Sequence, residues 1–151
     1  MRRFTVLALA LALLVLSACA KAPSPVTLRE RTEMLDLPAG VWYESTAAEW
    51  DGAYLPDALA EVFFGTRPVY PWTLYLGTDD ETLCEILYAA LPSEYEAITL
   101  AERLSARLAL LRRLSGDAFA ESLADASVIR RGSCVLYTVS PQNATVVGLL
   151  S

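Results

Sequence analysis

The chain contains no histidine and a single lysine, Lys21. The first absence excludes Ser-His-Asp and Cys-His catalysis, histidine metal sites and any side chain that titrates near neutrality unperturbed. The second removes Ser-Lys dyads and Schiff-base chemistry from everything beyond residue 21, and no Gly-Lys-Ser or Gly-Lys-Thr triplet is present for a P-loop. Basic charge is scarce as well: 12 Lys and Arg stand against 18 Asp and Glu, a net charge of −6. That excludes a phosphate-tracking nucleic-acid binder, which needs a basic face to displace counterions. Also lacking is an apolar run of the roughly 20 residues that a spanning helix needs. What is present is 54% hydrophobic residues over 151 positions, too apolar for a disordered polyelectrolyte and enough for one folded domain.

Arg2 and Arg3 precede an unbroken apolar run of 11 residues, Val6 to Leu16. A basic start and a run of that length have the dimensions of a secretory signal peptide. Leu16-Ser17-Ala18-Cys19 follows directly and resembles the lipobox of bacterial lipoproteins. The resemblance implies that Cys19 is alkylated by a diacylglyceryl group, that Ser17 and Ala18 fit the signal peptidase cleft, and that cleavage leaves Cys19 as the new N-terminus. Two acyl chains anchor stably where one binds only marginally. The expected organisation is a signal peptide over 1–18, a lipidated cysteine with a short tether over 19–26, and a single α+β domain over 27–151. The mature chain would have 133 residues at a net charge of −8. It is expected on the extracytoplasmic face of the cell membrane, at the cell surface or in a periplasm. So acidic a domain is repelled by anionic headgroups rather than lying flat on them.

With Cys19 assigned to lipid, Cys84 and Cys134 remain, an even pair in an exported protein. A disulfide between them is the expectation. Closing a loop of about 50 residues would contribute roughly 3–4 kcal/mol. The alternative is two unpaired cysteines packed as small hydrophobes.

Periodicity predicts an amphipathic helix over Thr27–Leu37, stopped by Pro38-Ala39-Gly40, then a brief strand at Val41-Trp42-Tyr43. Pro56–Phe64 reads as a second helix with Gly65 as its stop. Trp72–Leu76 and Leu83–Ala89 read as a hairpin around Gly77–Glu81. Ser93-Glu94-Tyr95-Glu96 is a capping box that opens a long helix over about 93–114. Its apolar face is expected to run through Ile98, Ala101, Leu104, Leu108, Leu111 and Leu114, with Glu102, Arg103, Arg107, Arg112 and Arg113 projecting elsewhere. Asp117–Asp125 reads as a short helix, Ser127–Arg131 and Cys134–Val139 as strands around Gly132-Ser133, and Val146–Leu150 as an apolar segment of open type. The fold class is therefore α+β, a small antiparallel sheet packed on one face by the long helix.

From Cys84-Glu85-Ile86 through the arginine-bearing helix to Ser127-Val128-Ile129-Arg130-Arg131-Gly132 and Val135-Leu136-Tyr137-Thr138-Val139-Ser140, the chain resembles a family of small lipoproteins of unknown function from Gram-positive anaerobes. The resemblance spans roughly Trp72 to Leu150. It implies an α+β module on a lipid anchor and carries over no catalytic residues.

Nine of the 14 aromatic residues fall between Trp42 and Tyr75. Trp42, Trp50, Tyr54, Tyr70 and Trp72 are the candidate ligand-binding aromatics, since such rings give rigid contact area with a polar handle; filling the core is the competing use. Asp79-Asp80-Glu81 lacks the alternation of a calcium loop and reads as a solvated turn. Carboxylate pairs such as Glu44 with Glu49 have the chemistry of glycoside hydrolysis, but the sequence carries no sign that any two stand the required roughly 5–10 Å apart across a cleft. Arg112-Arg113 and Arg130-Arg131 read as a helix cap and a turn flank. No metal or cofactor is called for. The expectation is a non-enzymatic membrane-anchored module that binds an envelope protein or a small ligand and no nucleic acid. A carboxylate-dependent hydrolase or sugar-active enzyme and a structural envelope component are the alternatives.

Overall fold

The computed structural model describes residues 22–45 and 55–150. The elements in chain order are α1 (Pro25–Thr32), β1 (Gly40–Ser45), α2 (Asp57–Phe64), β2 (Trp72–Gly77), β3 (Glu85–Ala90), α3 (Glu94–Ser115), α4 (Ala120–Leu123), β4 (Ser127–Arg131), β5 (Cys134–Val139) and α5 (Asn143–Gly148). The five strands form one antiparallel sheet in the order β1-β2-β3-β5-β4. β1, β2 and β3 make a meander. α3 then carries the chain past the neighbouring position to the far edge, and β5 returns between β4 and β3.

Alternation along the strands gives the sheet two apolar faces. Leu74, Leu87, Ala89, Val135 and Tyr137 point to the face covered by α2 and α3. Tyr75, Ile86, Tyr88 and Leu136 point to the other, covered by Leu28 of α1 and Val146 and Leu150 at α5. The long helix packs on one face as the pattern predicts, and two short helices close the second face. Arg31 and Arg131 help hold the C-terminal helix there, donating to the carbonyls of Leu149 and Leu150 at 2.9 and 2.8 Å.

Ser93 caps α3, its Oγ accepting from the Glu96 amide at 3.2 Å. The Glu96 carboxylate returns to the Ser93 hydroxyl at 2.8 Å rather than to its amide. The buried stripe of α3 is Ala97, Leu100, Leu104 and Leu108, and of the predicted face Leu104 and Leu108 lie in the core with Ala101 and Leu111 packed against it. Ile98 and Leu114 are exposed. α1 begins earlier than predicted, because Ser24 caps it and Pro25 fills its first turn, and it ends at Thr32 instead of Leu37. The segment after α3 forms only the single turn Ala120–Leu123, and the last apolar segment is helical.

The disulfide does not form in this fold; both remaining cysteines are free. Cys84 immediately precedes Glu85, which pairs with Val139, whereas Cys134 pairs with Ala90. The two therefore sit at opposite ends of the β3–β5 ladder, roughly 20 Å apart at about 3.4 Å per residue. A disulfide needs Cα atoms within about 7 Å. Each packs instead as a small hydrophobe on the α1–α5 side.

Candidate functional site

β3 is apolar except for Glu85, which is 6% exposed. An isolated carboxylate in such a place is costly unless it is paired and hydrogen-bonded. Here Arg107 reaches in from α3 and donates to one oxygen from Nε at 2.9 Å and to the other from Nη2. Tyr137 on β5 donates its hydroxyl to Glu85 at 2.6 Å. The Arg107 guanidinium also lies over the Phe63 ring, 4.5 Å from its centre. Burial opposes the charge on Arg107, and the Glu85 carboxylate more than offsets it, so the pKa is raised. Burial, reinforced by Glu85, pushes the Tyr137 phenol well above its usual range.

This cluster lies between two openings. On the α3 side is a groove of about 600 Å³ with Val62 and Leu110 as apolar walls and Arg103, Arg107 and Glu102 as polar ones. At the bottom of β3 is a cleft of about 310 Å³ reached by Glu85, Cys84, Asp79, Asp80 and Phe119. Arg103 serves the end of α2, donating to the Glu61 carbonyl at 3.3 Å. Gly65 stands there with φ +81°, and a Cβ on it would meet the Arg103 guanidinium at 2.5 Å. Among the described residues Arg107 has a carboxylate partner and Arg103 is in no ion pair. Among the described residues the groove thus offers Arg103, a cation held by a carbonyl but by no carboxylate, between two aliphatic walls.

Among the described residues, the candidate aromatics Trp42 and Trp72 lie on opposite faces of the sheet. Trp42 faces the α1 side, 4.9 Å from Tyr75 and with the Arg29 guanidinium 5.7 Å from its ring centre. Trp72 faces the opposite side, packed 5.3 Å from Phe64 and 2% exposed. Its Nε1 has no acceptor among the described residues. Tyr70 is half-buried against Phe64 at 6.3 Å, and burial, then Glu96, pushes its phenol up to about 12. Trp42 and Trp72 are three residues out of step across the paired β1–β2 ladder, so their side chains leave on opposite faces. Trp50 and Tyr54 lie outside the described residues, as do Cys19 and Glu49. Glu44 is taken by Arg29. Asp79 sits in the β2–β3 turn and accepts from the Glu81 amide at 2.8 Å.

Glu85, Arg107 and Tyr137 are absent from the candidates read from sequence. Two signals were available. Glu85 is the lone charge in the run Leu83–Ala89, and Arg107 stands three residues after Leu104, in step with the buried stripe. A separate polar contact fastens the start of the domain: the Tyr88 hydroxyl donates to the Pro23 carbonyl at 2.8 Å. No family model matches the chain, and no curated protein or solved structure is significantly similar to it.

Proposed function

We propose that the chain is a lipid-anchored extracytoplasmic lipoprotein, acylated at Cys19, whose α+β domain is a non-catalytic binding module. The observation that carries this reading is that the fold takes up the chain at Pro23, four residues behind a cysteine set in signal-peptide and lipobox order. A domain fastened so close to its anchor works at the membrane surface. Its buried carboxylate, Glu85, is committed to Arg107 and Tyr137, which favours a structural use over acid–base chemistry. The binding face in this reading is the α2–α3 groove, whose volume lies within the range of small-ligand sites. Its chemistry suits an anionic group beside an aliphatic one, the acidic and apolar side chains of an envelope protein segment.

The test places a photo-reactive benzoyl-phenylalanine at Leu110 in the living cell, with Asp80 as the control position. A discrete adduct from Leu110 that disappears with Arg103→Glu and never forms from Asp80 is the expected result. Adducts independent of Arg103, or the same adduct from both positions, contradict binding at the groove.

A further inference from the structure

We propose that the domain stands end-on on its membrane, the β4–β5 turn against the lipid headgroups and the β2–β3 turn directed away. The proposal rests on the reading of Cys19 as acylated. Tyr88 holds the Pro23 carbonyl, and it does so beside Cys134 and Arg131. Those two residues pair with each other at the mouth of the β4–β5 turn, and Cys134 pairs with Ala90 at the top of β3. The tether therefore leaves the fold at this end. From Cys19 to Pro23 the chain spans at most about 14 Å at 3.3–3.6 Å per residue. The six-residue strands between the two ends are themselves roughly 20 Å long. Tyr88 is the fourth of the six residues of β3, so its tie lies nearer the β4–β5 end, and while it keeps hold of Pro23 that end is the one carried toward the bilayer.

The two ends also differ in chemistry. The tether end exposes Arg130 and Arg131 at the end of β4, the second also donating to the Leu150 carbonyl, and Tyr95 in the first turn of α3, the last 78% exposed. Guanidinium groups suit phosphates, and a tyrosine ring suits the wet boundary of a bilayer. Among the described residues at this end, Glu94 lies 3.9 Å from Arg130 and Glu96 accepts from the Ser93 hydroxyl, and both carboxylates are exposed. The far end exposes Asp79, Asp80 and Glu81 in the β2–β3 turn, Asp117 after α3 and Asp125 before β4, with Arg112 and Arg113 as the nearby cations. A separation of about 20 Å is twice the Debye length of roughly 8–10 Å, so in this orientation the acidic end is screened from an anionic leaflet. The partner surface is the anionic headgroup layer of the protein's own membrane.

The experiment uses full-length protein purified from membranes, with the mass at Cys19 measured, in nanodiscs doped with a gadolinium-headgroup lipid. Amide signals of Gly132, Ser133 and Tyr95 are expected to be lost, and those of Asp80, Glu81 and Asp117 retained. Loss at both ends, or at the Asp80 end, overturns the orientation even if Cys19 carries its diacylglyceryl mass. Absence of that mass overturns the anchor, and the orientation with it. Tyr88→Phe keeps the ring and removes the tie, so the contrast between the ends should shrink with the acyl mass unchanged. An undiminished contrast refutes the tie as what orients the domain.

Discussion

A carboxylate on the third strand of a sheet covered on both faces needs its charge met on the spot, and Glu85 has three donors for its two oxygens. Removing a partner from a buried pair leaves an uncompensated charge and costs about 3–5 kcal/mol. Arg107→Leu should lose stability on that scale, and Tyr137→Phe, which leaves the arginine in place, about 1–3 kcal/mol. Urea unfolding of the two variants measures both, and equal small losses would show that Glu85 does not depend on them. Cys84 gives a second prediction. Burial, then the neighbouring Glu85 charge, pushes its thiol up to about 12, and Tyr70 is raised to about 12 as well. Raised pKa values mean that the folded state holds protons the unfolded chain gives up. Their stabilising contribution is therefore complete below about pH 9 and is lost progressively as pH rises from 9 to 12. Unfolding free energy measured against pH should be level through neutrality and fall across that alkaline window. In thiol counting, Cys84 should be unreactive in the folded protein near pH 8 and titrate only in denaturant.

Among the elements, α3 separates residues that a helical wheel alone does not. Leu104 is fully buried and Ile98 is 42% exposed, so Leu104→Ala should cost about 2–5 kcal/mol and Ile98→Ala under about 0.5 kcal/mol. Thermal or urea unfolding of the pair decides it; similar losses would restore the face that runs through Ile98. Ser93→Ala should cost about 1 kcal/mol through loss of the cap. The capping box, the stop at Gly65 and both hairpins were legible because each is written in local residues with one conformational use. The face of α3 was less so: Ile98 and Ala97 differ by one position, and only the neighbouring β4 and β5 decide which is covered. The Glu85–Arg107 pair joins residues 22 apart on different elements, and local periodicity carries no record of such a partner.

For the whole molecule, the α+β class was legible from element order, whereas the second covered face was not. α1 and α5 are short, weakly patterned helices, and their place is set by the sheet face they close. The same limit defeated the cysteine pair, since an even count fixes number and not register. Strand alternation likewise separates two of the candidate aromatics, sending Trp42 and Trp72 to opposite faces. Charge is likewise arranged at this scale: carboxylates outnumber arginines at the end far from Pro23, whereas Arg130 and Arg131 stand with Glu94 and Glu96 at the near end. The central claim is that this domain is held to a membrane through Cys19. Metabolic labelling with a radioactive fatty acid, comparing the native chain with Cys19→Ala, tests it most directly. The account predicts label and membrane fractionation in the native protein and neither in the variant; a Cys19→Ala protein that still takes up label and stays with the membrane would contradict it.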